Sequence, residues 1–193
     1  MAEALPLDGA DVRLYRDCYN TDEAAELLQR LMDEIDWRTE HVQMFGRRVK
    51  APRQVAWYGD GNYRYWGLDH PPRPLPPLLC VIRDRVAALT GAEYNGVLGN
   101  LYSDGDDSMG WHADDEPELG PAPVIASLSL GAARRFQFRR LDDKRQRIDV
   151  ELAPASLLVM AGDTQRNWQH RLPKTRRALG PRINLTLRWT DVT

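Results

Sequence analysis

Three residues of this chain have the types and spacing of a metal chemistry. His112 and Asp114 are separated by one residue in Gly110-Trp-His-Ala-Asp-Asp-Glu116, and His170 follows in Gln169-His-Arg-Leu-Pro173. Two imidazoles and one carboxylate on one side of a ferrous ion leave the opposite coordination positions open to a co-substrate and dioxygen. Residues i and i+2 of an extended strand project to the same face, so a strand through His112 and Asp114 would offer both to one ion and turn Ala113 away. A His-x-Asp by itself does not identify a metal site. The C-terminal strand adds a second signal.

In Arg182-Ile-Asn-Leu-Thr-Leu-Arg188, the residues Ile183, Leu185 and Leu187 alternate with Arg182, Asn184, Thr186 and Arg188. This predicts a strand with one apolar face and one face carrying two guanidinium groups. If that polar face lines an interior, its arginines need anions, because an unpaired buried charge is very costly. The two lie roughly 20 Å apart along a strand at ~3.3 Å per residue, too far to grip one carboxylate from the same position. They would converge on opposite ends of an extended diacid, or one would pair with the diacid and the other with a metal-bound aspartate. 2-Oxoglutarate meets that requirement.

Asn100-Leu-Tyr102, the Gly110–Glu116 block, Ser127-Leu-Ser-Leu-Gly131, His170 and the Arg182–Arg188 strand follow one another in order. Together they resemble the AlkB family of iron and 2-oxoglutarate-dependent nucleic-acid dealkylases, over residues 41–189. The resemblance implies that His112, Asp114 and His170 hold Fe(II). It implies that Asn100, Tyr102, Arg182, Asn184 and Arg188 hold 2-oxoglutarate, with Tyr102 and Arg188 on its distal carboxylate and Arg182, Asn184 and Asn100 nearer the keto-acid end. The implied reaction is oxidative demethylation: with Fe(II), 2-oxoglutarate and O2 an N-methyl group is hydroxylated and lost as formaldehyde, while 2-oxoglutarate becomes succinate and CO2. Leu187 stands where the family usually has phenylalanine, and its place on the apolar face makes that a change of packing.

Within the family the resemblance is closest to homologues that repair duplex DNA, through residues 41–67. Met44, Phe45 and Gly46 match a hydrophobic finger pushed into the base stack where a base has been flipped out, with Phe45 as the wedge. Tyr63 and Tyr65 match aromatic lid residues, so a flipped base would stack between one of these rings and His112. Asp115, with Glu116 beside it, would favour a base made cationic by methylation on its pairing edge. Arg53 matches a basic lid residue, and Arg176 and Arg177 match a DNA-gripping segment after the second histidine. All three are expected to contact phosphate rather than read sequence.

The elements that must position these residues are legible in outline. Asn20 precedes Thr21-Asp-Glu23, with Leu27, Leu28, Leu31 and Ile35 on one face, which predicts an N-capped amphipathic helix. A second helix is predicted from Pro77 through Leu78, Ile82, Val86 and Leu89 to Gly91. From Tyr94 onward the chain breaks into short runs, among them Val97–Tyr102, Val124–Leu130, Arg134–Arg140, Ile148–Ala153, Ser156–Ala161 and Ile183–Trp189. The expected fold is therefore mainly β with flanking helices (α+β), a jelly roll. By the resemblance it is a double-stranded β-helix with an N-terminal nucleotide-recognition lid. The whole of 1–193 is expected to be one domain, with helices and lid in 1–92 and the catalytic core in 93–193.

The chain has 193 residues, 42% of them hydrophobic and 28% charged, enough for one sizeable core. No segment approaches a membrane span, which suggests a cytoplasmic protein, nucleoid-associated if bacterial. Cys18 and Cys80 are isolated, against a disulfide framework or structural zinc. The net charge of −2 gives no global attraction to nucleic acid. Acid gathers in Asp104, Asp106, Asp107 and Asp114 to Glu118, while base gathers in Arg47 to Arg53, Arg134 to Arg147 and Arg171 to Arg177. The three basic stretches suggest a phosphate-contacting rim, with alkylated DNA or RNA as the partner and no obligate protein partner. Two alternatives stay open at this point: a hydroxylase of a protein or small molecule on the same iron scaffold, and a non-catalytic DNA-binding relative. The wedge reading predicts that Phe45→Ala lowers repair of a duplex lesion more than repair of the same lesion in single strands, measured as initial rates. Equal losses on both would remove Phe45 from that role.

Overall fold

Ile183, Leu185 and Leu187 alternate with polar residues, yet every residue of their strand is buried. A strand covered on both faces needs a layer on each side, and this computed structural model has three layers. It describes residues 2–44, 47–65, 68–177 and 179–191, with the backbone alone at 42–44, 47, 48 and 65. The elements in chain order are β1 (Glu3–Ala4), β2 (Asp11–Tyr15), α1 (Thr21–Glu34), β3 (Arg38–Met44), β4 (Arg47–Gly59), β5 (Tyr63–Tyr65) and β6 (Leu68–His70). Then come α2 (Pro77–Thr90), β7 (Gly96–Tyr102), β8 (Met109–His112), a 3-10 turn (Pro117–Leu119), β9 (Ile125–Gly131), β10 (Arg134–Arg140) and β11 (Arg147–Leu152). The last are β12 (Leu157–Ala161), α3 (Thr164–Asn167), β13 (Trp168–Leu172) and β14 (Arg182–Arg188).

Eight strands form the major sheet in the order β1-β2-β12-β9-β14-β7-β4-β3, four form the minor sheet in the order β11-β10-β13-β8, and β5 and β6 make a separate hairpin. The strand pairs of both sheets are antiparallel. Leu31 and Ile35 at α1, and Leu78, Leu79, Ile82 and Val86 of α2, pack with Ile183, Leu185, Leu187, Leu128 and Val159 on one side of the major sheet. On its other side Leu98, Ile125, Leu158 and Met160 meet Phe136, Phe138, Val150 and Leu172 of the minor sheet. The expected jelly-roll sandwich with helices backing a sheet is what forms.

Both expected helices form for the expected reasons. Asn20 accepts from the Glu23 N–H while the Glu23 carboxylate accepts from the Asn20 N–H, a complete capping box. The second helix begins at Pro77 and is closed by Gly91 at φ 70°. The residues before 93 are not a separate lid on a later core. β1, β2, β3 and β4 supply half of the major sheet, with β2 paired to β12 and β4 to β7. Cys18 and Cys80 are free thiols, and no helix among the described residues is long and apolar enough to cross a membrane.

Gly131 ends β9 at φ 83°, and a Cβ there would collide with the Pro181 carbonyl oxygen. That close approach seats the start of β14, since Gly131 is the register partner of Arg182. Gly131→Ala should therefore cost about 1–3 kcal/mol or more, left-handed strain plus displacement of the Pro181 backbone. A lower urea midpoint at unchanged slope would report it.

Candidate active site

His112 on β8 and His170 on β13 are direct cross-strand partners, with ring centroids 4.2 Å apart and planes at 68°. Phe136 stacks on His170 at 5.4 Å and Phe138 meets its edge at 6.1 Å, so an aromatic wall holds this imidazole from the interior side. Asp114 arrives differently from the strand argument. β8 ends at His112, and Asp114 lies beyond it in irregular chain. Its backbone N–H donates to Oε1 of Gln165 at 3.0 Å. The three side chains nonetheless converge, each offering one ligand atom within 4.8 Å of the others.

The donor set is in the state a metal needs. Nδ1 of His112 lies 2.9 Å from the Gly110 carbonyl oxygen, which assigns the ring proton to Nδ1 and leaves Nε2 as a lone-pair donor. Burial pushes the His112 pKa down. For His170, burial and then the neighbouring His112 push it down to about 3. Burial would raise the Asp114 carboxyl, but Arg188, His170 and His112 outweigh it and hold the group below its ordinary value. Two neutral imidazoles thus face one carboxylate. Among the described residues Nδ1 of His170 is buried without a hydrogen-bond partner, and Nε2 lies 3.8 Å from the Asp114 carboxylate. A divalent ion fits these donors, taking one ring nitrogen of each histidine and one carboxylate oxygen of Asp114.

The polar face of β14 lines the same cavity, with Arg182, Asn184, Thr186 and Arg188 joined by Asn100 and Tyr102 of β7. The arginine-bearing face is therefore interior. Arg188 Nη2 lies 3.7 Å from Asp114 Oδ1, and its Nη1 donates to the Tyr63 hydroxyl. That hydroxyl donates to Glu116 Oε1 at 3.1 Å. Arg182 occupies the opposite end, its guanidinium 5.3 Å from the centre of the Tyr102 ring. It donates to Ser129 Oγ and Asn184 Oδ1 at 2.9 Å each, and its Nε is buried without a partner. Burial lowers its pKa to about 10; the Tyr102 hydroxyl opposes that fall, and Arg134, another cation, adds to it. The expected partnership of Tyr102 with Arg188 is thus corrected. Strand register sets Tyr102 opposite Arg182 and sets Arg188 opposite Gly96.

Other expected site residues divide sharply. Arg53 is 3% exposed and donates through Nε to Asn100 Oδ1 at 2.7 Å. As placed it is an interior residue beside the cavity, not a phosphate contact, because β4 turns it toward β7. Tyr63 is fully buried, stacked on Trp57 at 4.6 Å and 26°, with the Arg188 guanidinium 5.0 Å from its ring centre. Its ring is already packed and has no face open to a base. Asp115, Arg176 and Arg177 are exposed, and Glu116 is half-buried with its pKa raised by burial against the pull of Arg188. Phe45, and the side chain of Tyr65, lie outside the described residues. Among the basic stretches, Arg134 is also interior and donates to the carbonyls of Asp104, Asp107 and Pro173. Arg139 and Arg171 each place a guanidinium 4.4 Å from the Trp111 ring centre. Sequence reasoning missed Gln165, since a lone glutamine in a short connection carries no periodic signal.

Comparison with known proteins agrees with this geometry. The family model of the 2OG-Fe(II) oxygenase superfamily matches residues 11–188. The DNA oxidative demethylase ALKBH2 of Mus musculus is 41% identical over 186 residues, covering 90% of this chain and 78% of that protein. The alpha-ketoglutarate-dependent dioxygenase alkB homolog 3 of Homo sapiens is 36% identical over 192 residues, covering 95% and 67%. The solved structure of OsALKBH1 superposes with a TM-score of 0.69 at 16% identity, covering 98% of this chain and all of that one, a likeness of fold.

The buried neutral histidine carries a pH dependence. Between pH 6.5 and about 3 the unfolded chain protonates residue 170 while the folded protein does not. The unfolded state then binds more protons, so stability rises with pH in that window and is lost as pH falls through it. Urea unfolding of the metal-free protein should show its midpoint dropping below pH 6.5. His170→Asn should flatten that slope, and an unchanged slope would contradict the assignment.

Proposed function

The chain belongs to the 2OG-Fe(II) oxygenase superfamily and, within it, to the AlkB homologues, and on that premise we propose that it repairs DNA by oxidative demethylation of N-methylated bases such as 1-methyladenine and 3-methylcytosine. The observation that carries this reading is a His-Asp-His triad, with Asp114 and His170 buried and His112 half-buried, sharing one cavity with a buried arginine that has no carboxylate partner among the described residues. When bound, Fe(II) with 2-oxoglutarate and O2 supplies the oxidation of the N-methyl group and yields succinate, CO2 and formaldehyde.

The chain's own residues do the rest. His112, Asp114 and His170 hold the metal. Arg182, with Tyr102 and Asn184 beside it, takes the distal carboxylate of 2-oxoglutarate, because it is a buried cation in this cavity with no anion paired to it among the described residues. Arg188 serves the metal end by keeping Asp114 ionised. Asn100 is held toward the same cavity by Arg53. Asp115 and Glu116 place carboxylates beside the metal ligands, a field that favours a cationic methylated base over the neutral undamaged one. The exposed Arg176 and Arg177 offer phosphate contacts that carry no sequence information, as a repair enzyme acting in any context requires. The location that goes with this proposed reading is cytoplasmic, nucleoid-associated if bacterial.

Oligonucleotides carrying 1-methyladenine or 3-methylcytosine, incubated with Fe(II), 2-oxoglutarate and O2, should lose the lesion by mass spectrometry only when all three are present, and not with His112→Ala. Succinate formation without lesion loss would keep the oxygenase and discard the nucleic-acid substrate. Arg182→Ala should raise the KM for 2-oxoglutarate roughly tenfold or more, the worth of a charged hydrogen bond of ~1.5–3 kcal/mol. An unchanged KM would move the distal carboxylate elsewhere.

A further inference from the structure

We propose that Gln165 is a positioning residue for the metal centre, setting where Asp114 stands by accepting its backbone N–H, and that residues 8–11 in turn set where Gln165 stands. This rests on the reading of His112, Asp114 and His170 as metal ligands. His112 and His170 are held by the hydrogen-bonded ladder of the minor sheet, where they face each other. Asp114 has no such support, because β8 stops two residues earlier. The described contacts of its carboxylate are charge pairs at 3.7 and 3.8 Å, longer than hydrogen bonds. The 3.0 Å bond from its N–H to Gln165 Oε1 is the close, directional contact that fixes its main chain.

Gln165 is itself over-determined. It is 4% exposed and its Nε2 reaches Met160 Sδ at 3.7 Å. Its helix, α3, has four residues and is too short to persist by its own hydrogen bonds. The N-terminal segment supplies the missing order. The Asp11 N–H donates to Thr164 Oγ1 at 3.1 Å, Asn167 Nδ2 donates to the Gly9 carbonyl at 2.6 Å, and Trp168 Nε1 donates to the Asp8 carbonyl at 3.0 Å. Gln165 also precedes His170 by five residues on the same stretch of chain. One short segment therefore supplies one ligand and anchors the backbone of another, so the separation of the two is set locally. A buried backbone N–H needs a partner in any fold. Here the partner comes from 51 residues away and ends at the metal site, which is what a merely structural bond would not require.

The test titrates the full chain with Mn(II) alone, following loss of the free-ion EPR signal, with thermal melting run on each variant. Gln165→Met keeps the volume and removes the acceptor, and should weaken Mn(II) binding roughly 10–100-fold, the usual effect of losing an outer-shell partner. Gln165→Asn withdraws the acceptor by one methylene and should weaken binding likewise, which decides the matter if the Met variant does not fold. Gln165→Glu retains an acceptor at the same reach and should bind Mn(II) close to the parent. Parent-like Mn(II) affinity in the Met or Asn variant overturns the proposal. A parent protein that binds no Mn(II), and so matches His112→Ala, overturns the metal-site reading itself.

Discussion

Charge buried inside the sandwich is the constraint on which the rest of the structure depends. Arg182 and Arg188 are each 1% exposed and Asp114 is 4% exposed. Taking such ions from water costs several kcal/mol apiece unless opposite charge and hydrogen bonds offset it. The protein offsets only part of this. Arg188 stands near Asp114 and donates to Tyr63, while Arg182 has Ser129 and Asn184 but no anion among the described residues. The imbalance is local to one end of one cavity, and a dianionic co-substrate is the chemistry that removes it.

That constraint explains the layering. A strand that carries arginines on one face and Ile183, Leu185 and Leu187 on the other must have apolar cover on the second face, which α1 and α2 provide. The first face needs a closed but polar interior, which the minor sheet provides by bringing His112 and His170 opposite it. Register between β7 and β14 then allots the arginines, one to Tyr102 and one to the metal ligands. A slip of one residue would exchange the two faces of β14 and put both cations among leucines.

The same economy governs the arginines elsewhere. Four of those that the sequence gathers into basic stretches, Arg53, Arg134, Arg139 and Arg171, are engaged by Asn100, by backbone carbonyls or by the Trp111 ring. Arg176 and Arg177 stay exposed. A net charge of −2 is a sum over the chain and does not describe how charge is distributed over its surface.

By itself the sequence determined whatever depends on local pattern. The capping box at Asn20, the Pro77–Gly91 helix, the alternation along β14 and the pairing of His112 with Asp114 are all written in short spacings, and each reappears in the structure, whereas His170, far along the chain, carries no short-range signal of its own. Periodicity put both arginines on one face of β14 and left open whether that face met solvent or an interior. What it could not contain are contacts between residues distant in the chain. Burial of Arg53 against Asn100, packing of Tyr63 against Arg188, the choice of Arg182 as the partner of Tyr102, and the grip of Gln165 on Asp114 each join residues 47 to 125 apart in the chain or arise from strand register. Side-chain type and spacing specify which groups are available, whereas only the tertiary fold, through register and the cost of leaving a buried polar group unpaired, decides which of them meet.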